Sequence, residues 1–147
     1  MIFSNVVKKD ELRQVQLETL ETIKEALTCS FGPMGSNTAI KKDNMLNKYS
    51  KDGHTILSNL MFKGTIEQSV KDDLEDLTRH IVKTVGDGTT SAIILSAIIF
   101  KGLHELKTDA SPYEIIRTFK DCVEEIVEEI RSNAKEATPE TDRKSVV

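Results

Sequence analysis

Apolar residues return every three or four positions through most of this chain, and that rhythm points to helices as the way to bury them. Ile66, Val70, Leu74, Leu77, Ile81 and Val85 predict one long helix over Thr65 to Val85. Leu20, Ile23 and Leu27 share a face of an earlier helix, Asp10 to Cys29, which Leu12 and Val15 extend. A last stripe runs through Ile115, Ile116, Phe119, Cys122, Val123, Ile126, Val127 and Ile130, up to Asn133. Ahead of it Ser111-Pro112-Tyr113-Glu114 reads as a capping box with proline at the first helical position. Cys122 lies inside that stripe and reads as a small core hydrophobe rather than a reactive thiol. Glu124, Glu125, Glu128 and Glu129 read as the solvated face. From Thr89 to Lys107 the pattern differs: Ala92 to Phe100 is apolar on nearly every side, which predicts a helix in the middle of a core, packed all round.

Between the first two helices the texture changes. Ser30 to Asn37, SFGPMGSN, stops the first helix and forces a tight loop. Thr38 to Ile40 and Lys48 to Ser50 predict the strands of a hairpin with Asp43 and Asn44 near its turn. A second turn follows at Asp52-Gly53, then a short helix over Thr55 to Met61. The expected class is therefore all-α with a small β hairpin, in a chain of 147 residues that is long enough for one real core.

Composition removes several functions. A net charge of −4 without a basic block, 5% aromatic residues and no Trp argue against nucleic acid as a partner. The longest strongly apolar segment, Ala92 to Phe100, is too short to span a membrane. The two cysteines, Cys29 and Cys122, form no CxxC pair and no zinc pattern, and no basic-then-apolar leader opens the chain; the expected compartment is the cytoplasm.

The chemistry lies in the Gly-rich loops. GDGTTS, Gly86 to Ser91, stands at a predicted helix start, where unpaired N–H groups and the positive end of the dipole suit an anion. Gly86 and Gly88 let backbone approach a phosphate, and Thr89, Thr90 and Ser91 add hydroxyls. Asp87 would repel a bare phosphate but becomes useful when a divalent cation lies between them. The plain alternative is that Asp87 or Thr89 caps the helix and the glycines end the one before. Gly32 to Gly35 and Lys51-Asp52-Gly53, each alone, are ordinary turns. Neither GxxxxGK[ST] nor GxGxxG occurs. His54, His80 and His104 are scattered; His80 and His104, on predicted helices, read as surface or packing residues, and Ser58, Ser69 and Ser96 lack a nucleophile elbow.

As a set, SFGPMGSN, KDGHTIL (Lys51 to Leu57) and VGDGTTSAIIL (Val85 to Leu95), in this order, resemble the chaperonin family of ring-forming, ATP-driven folding machines. The resemblance runs from about Asp10 to the end of the last helix. It implies the N-terminal half of an equatorial domain, residues 1–134, with 135–147 starting the connection to an intermediate domain. It further implies that Ser30, Phe31, Gly32 and Pro33 line a nucleotide, that Asp87 ligates Mg²⁺, and that Gly86, Gly88, Thr89, Thr90 and Ser91 hold phosphate oxygens. Lys51, Asp52 and Gly53 would lie near the terminal phosphate of ATP, with Asp52 orienting or polarising water. The hairpin would pair with a neighbouring subunit in a homo-oligomeric ring, and unfolded client proteins would bind through domains absent here.

Three features set this chain apart from the family's usual pattern. DGHTIL and TVGDGTTSAIIL look like the archaeal and eukaryotic cytosolic branch, while the helix spacing looks closer to the bacterial branch; a divergent member, of a kind a virus could encode, fits this mixture. Met34 and Ser36 stand at loop positions that are often basic in the family. Family chains are also several times longer, so the apical domain and the second half of the ATP site are expected to be missing. ATP hydrolysis by this chain alone should then be very slow or nil. The competing expectation is a stand-alone truncated homologue that binds chaperonin subunits without catalysis.

Overall fold

The computed structural model describes residues 9–41, 48–106 and 108–134. The expected hairpin turn at Asp43 and Asn44, Lys107, and the boundary between 134 and 135 fall outside or at the edge of these residues. Among them the order is α1 (Lys9–Thr28), β1 (Thr38–Ile40), β2 (Lys48–Ser50), α2 (Gly53–Ser58), α3 (Thr65–Thr84), α4 (Thr89–Glu105) and α5 (Pro112–Asn133). The all-α class with one small hairpin is borne out. β1 and β2 pair antiparallel, with Thr38 opposite Ser50 and Ile40 opposite Lys48. The chain divides into two compact units, 1–106 and 107–147.

The first unit is built around one cluster. Leu20, Ile23 and Leu27 of α1 meet Ile40 of β1, Ile56 and Leu57 of α2, Val70 and Leu74 of α3, and Ile93 and Ala97 of α4. Ile23, Leu27, Ile56, Leu57 and Ile93 are fully buried, each contributing about 1.5–3 kcal/mol over an exposed side chain. Lys101 of α4 reaches Glu21 of α1 at 3.7 Å, a link over the edge of this cluster.

Loop residues set where the helices stop. After Thr28, the Ser30 and Phe31 amides return to the Leu27 and Thr28 carbonyls at 3.0 and 3.2 Å, and the Ser36 amide closes the loop on the Cys29 carbonyl at 2.8 Å. α3 ends where Gly86, in the left-handed region at φ 87°, turns its amide back to the Ile81 carbonyl at 3.1 Å. α2 starts two residues before the expected Thr55, because Asp52 is its N-cap and brings Gly53 and His54 into the first turn.

Two expectations fail on burial. α4 is not packed all round: Ile93 and Ala97 are buried, but Leu95 is 56% and Ile98 54% exposed. Its apolar composition allowed burial on every side, yet its neighbours in this unit, α1, α2 and α3, cover one face. The stripe of α5 is likewise uncovered: no described residue of that helix is buried, and Cys122 is exposed rather than a core residue. A helical stripe says which face can be buried, and the described part of the second unit holds no other element to bury it against. The capping box itself forms in full. The Glu114 amide reaches Ser111 Oγ at 3.3 Å, and the Ser111 amide reaches Glu114 Oε2 at 2.8 Å.

Candidate functional site

The starts of two helices meet in the first unit, and Gly53 is what lets them. Gly53 is buried, and a Cβ placed on it would lie 2.8 Å from both the Cα and the N of Thr90 and 2.5 Å from its hydroxyl. Only glycine permits the first turn of α2 to lie this close to the first turn of α4.

Asp52 completes the junction with both carboxylate oxygens. Oδ2 accepts from the Thr55 amide at 2.7 Å, the cap of α2, and Oδ1 accepts from the Thr89 hydroxyl at 3.3 Å. The Asp52 amide in turn donates to Ser50 Oγ at 3.1 Å, which ties the junction to the end of β2. Partial burial pushes the Asp52 pKa up, but the hydrogen bonds from Thr55 and Thr89 and the nearby His54 outweigh it and hold the carboxyl below the ordinary value of 3.8. Each oxygen has a second lone pair, so the group still has acceptor capacity. A carboxylate held ionised in this way suits orienting a donor better than removing a proton.

α4 itself begins without a side-chain cap. Its N-cap is Gly88, left-handed at φ 92°, a conformation that favours glycine. The first helical bond of α4 is from the Ala92 amide to the Gly88 carbonyl at 3.0 Å. The amides of Thr89, Thr90 and Ser91 therefore precede the intrahelical ladder and stand at the positive end of the dipole. Asp87 is exposed, and its Oδ1 accepts from the Gly88 amide at 2.7 Å. The glycines end α3 and open α4 as the plain reading expects, but neither Asp87 nor Thr89 caps α4, and the first amides of α4 stay outside its helical ladder. Thr89 is buried, and its one hydroxyl hydrogen goes to Asp52, so toward a phosphate it offers its amide. Thr90 is half-buried beside Gly53, and Ser91 is exposed.

The other loop residues are placed differently. Ser30 is buried and donates its hydroxyl to the Leu27 carbonyl at 2.8 Å, so it closes α1. Phe31 and Pro33 are exposed, and Gly32 is left-handed at φ 82°. The hydrogen bonds that hold this loop run to the end of α1 and within the loop, while Lys51 lies exposed next to Asp52. The structure joins Asp52 and Gly53 to Thr89 and Thr90 directly, whereas the hydrogen bonds of Ser30 and Phe31 run to the end of α1.

Sequence reasoning gives His54 no role and passes over Thr78. His54 Nδ1 lies 2.8 Å from the hydroxyl of Thr78, which is fully buried on α3 and also reaches the Glu75 carbonyl at 3.0 Å. The signal was available, since Thr78 continues the buried row of Val70 and Leu74 by the same four-residue step, and a hydroxyl there needs a partner.

The TCP-1/cpn60 chaperonin family model matches residues 23–147. The chain belongs to that family. Among its relatives, the mitochondrial heat shock protein 60 of Saccharomyces cerevisiae is 30% identical over 129 residues, covering 87% of this chain and 23% of the yeast protein. A mitochondrial 60 kDa heat shock protein homolog of Drosophila melanogaster is 28% identical over 132 residues, covering 88% of this chain and 23% of its own. Among solved structures, a chaperonin from the bacteriophage EL 2 (Pseudomonas aeruginosa), crystallised in the presence of ATP-BeFx, superposes with a TM-score of 0.74 at 22% identity. That likeness covers 86% of this chain and 22% of the phage chain, and it shows a shared fold. This chaperonin-family chain therefore spans about a quarter of the length of the relatives it matches. Among its described residues no helix is long and apolar enough to cross a membrane, and no group of three His, Cys, Asp or Glu side chains could hold a metal ion.

Proposed function

We propose that this chain is the N-terminal part of the ATP-binding, ring-forming layer of a chaperonin subunit, and that the junction of α2 with α4 receives the phosphates of Mg-ATP. The observation that carries this reading is the uncapped start of α4 at Gly88, with Asp87 on one side and Asp52 hydrogen-bonded to Thr89. The donor set fits the ligand. Backbone amides at a helix N-terminus suit phosphate oxygens. A lone carboxylate suits Mg²⁺, which keeps several waters and takes its other ligands from the phosphates. Gly86, Gly88, Thr89, Thr90 and Ser91 would hold the phosphates, Asp87 the cation, and Ser30, Phe31, Gly32 and Pro33 the rest of the nucleotide. Lys51 and Gly53 would border the terminal phosphate, and Asp52 would orient the attacking water as acceptor. Mg²⁺, when bound, supplies neutralisation of the phosphate charge. Family membership supports a role in ATP-dependent folding of client proteins by a homo-oligomeric ring. Exposed free thiols at Cys29 and Cys122 accord with a reducing compartment such as the cytoplasm.

The test is an equilibrium titration of the chain with ATP, with and without Mg²⁺. Asp87→Ala is expected to weaken binding of Mg-ATP about tenfold or more, and not to weaken metal-free ATP, which the carboxylate repels. Equal behaviour of both proteins in both titrations would refute the assignment. The uncovered stripe of α5, with Ile116, Ile126 and Ile130 exposed, favours a second reading, a non-catalytic partner of chaperonin subunits. Co-purification with a full-length chaperonin, insensitive to Asp87→Ala, would favour it.

A further inference from the structure

The helix that carries Asp52 is six residues long, too short to hold its own direction, so something outside it must fix where Asp52 points. Ile56 and Leu57 anchor its far end in the core, but greasy contacts set direction loosely. Its near end is held by two polar links, Asp52 to Thr89 of α4 and His54 to Thr78 of α3.

The second link has a definite sense. Thr78 Oγ1 has one hydrogen and two neighbours, His54 Nδ1 at 2.8 Å and the Glu75 carbonyl at 3.0 Å. A carbonyl only accepts. If Thr78 gave its hydrogen to the histidine, its fully buried oxygen would face the Glu75 carbonyl oxygen with no hydrogen between them. If the histidine donates instead, both contacts become hydrogen bonds, in a chain from the ring N–H through the hydroxyl to the carbonyl. In a buried site the arrangement with every partner satisfied is strongly preferred. Nδ1 therefore carries the hydrogen of the neutral ring, and Nε2 is its bare nitrogen.

We propose that His54 is a positioning residue: its Nδ1–H, bonded to the buried Thr78 hydroxyl, fixes the start of α2 and so holds Asp52 against Thr89. The two links leave α2 for different helices, α3 and α4, and leave it within three residues of each other. Together they tie the start of the short helix to both of its neighbours. The importance of Asp52 for nucleotide rests on the preceding section, whereas the hydrogen-bond chain does not.

Nuclear magnetic resonance of the 147-residue chain without nucleotide tests this. In the wild type with a neutral ring, Nδ1 should resonate as a protonated ring nitrogen and Nε2 as a bare one. Thr78→Val should abolish that preference and raise the midpoint of the Asp52 carboxyl toward the ordinary 3.8, and Thr78→Ser should restore both. A wild-type ring protonated on Nε2, or an Asp52 midpoint unmoved by Thr78→Val, would overturn the proposal. Should Thr78→Val not fold, His54→Asn, whose amide N–H can replace Nδ1–H, should keep the Asp52 midpoint below that of His54→Ala, both variants having lost the histidine charge. Equal midpoints in those two variants would overturn it as well. A chain that passes these tests and fails to bind Mg-ATP would remove the nucleotide reading and leave the positioning role standing.

Discussion

Gly53→Ala isolates the contact on which the junction depends, because its alanine counterpart at Gly102 makes no contact at all. A Cβ at residue 53 would lie 2.8 Å from the Thr90 backbone, while one at Gly102 on α4 meets nothing within 4 Å. Relieving the clash to an ordinary 3.4 Å separation requires the two helix starts to part by about 0.6 Å, since backbone cannot rotate aside as a side chain does. The Asp52–Thr89 hydrogen bond, already 3.3 Å, would then stretch beyond hydrogen-bonding range. Overpacking of this kind costs about 1–3 kcal/mol. Against it stands the gain of alanine over glycine in a helix, about 0.5–1 kcal/mol, which is all that Gly102→Ala should register. The two variants should thus move in opposite directions and differ by about 1–3 kcal/mol. With a urea slope of about 1–3 kcal/mol/M, that separates their unfolding midpoints by several tenths molar or more, readable by far-ultraviolet circular dichroism. A Gly53→Ala chain at least as stable as Gly102→Ala would show that the starts of α2 and α4 are not in contact, and the site built on that contact would fall with it.

Two further outcomes follow from burial and from the caps. Ile93→Ala, at a fully buried position, should cost about 2–5 kcal/mol in urea unfolding, while Leu95→Ala on the same helix, 56% exposed, should cost well under half as much; equal costs would contradict one-sided packing of α4. The Glu114 carboxyl is held below its ordinary 4.5 by hydrogen bonds from the Ser111 side chain and amide, so its contribution to α5 is complete above that value and is lost as pH falls through the lower folded value. Ser111→Ala should move the Glu114 midpoint up toward 4.5, and an unmoved midpoint in a carboxyl titration would mean the capping box does not form in solution.

What could be read in the sequence was whatever depends on neighbours along the chain. Helix periods, the Ser111 to Glu114 box and the two short strands are local, and each appears where the residues put it. The start of α2 was misjudged for a local reason too: Asp52 was read as a turn residue, and its side chain, reaching the Thr55 amide, makes it a cap. Burial was less legible. Nothing in Ala92 to Phe100 says how many neighbours will be present to cover it, and nothing in the α5 stripe says that the second unit's described residues offer no facing element. Of the candidate site, glycine at residue 88 and the carboxylate of Asp87 are local consequences of a helix start, while the pairing of residue 52 with residue 89 is not local at all.

That pairing also explains why one motif set can be recognisable when each of its members is ordinary. KDG alone is a turn, and GDGTT alone is a helix start. Their value comes from fitting each other: residue 53 must lack a side chain because residue 90 is there, and residue 52 must be a short acceptor because it caps α2 and takes the Thr89 hydroxyl at once. Glutamate at residue 52 would carry the same charge on a longer arm and could not satisfy both partners from one backbone position. Constraints of this reciprocal kind involve several residues at fixed distances, so chance rarely reproduces them. His54 sits outside the usual reasons for such a set, since its partner Thr78 lies on another helix and contributes no loop signature. Its role is visible only once α2 and α3 are side by side, with a buried hydroxyl that must accept one hydrogen in order to give its own away.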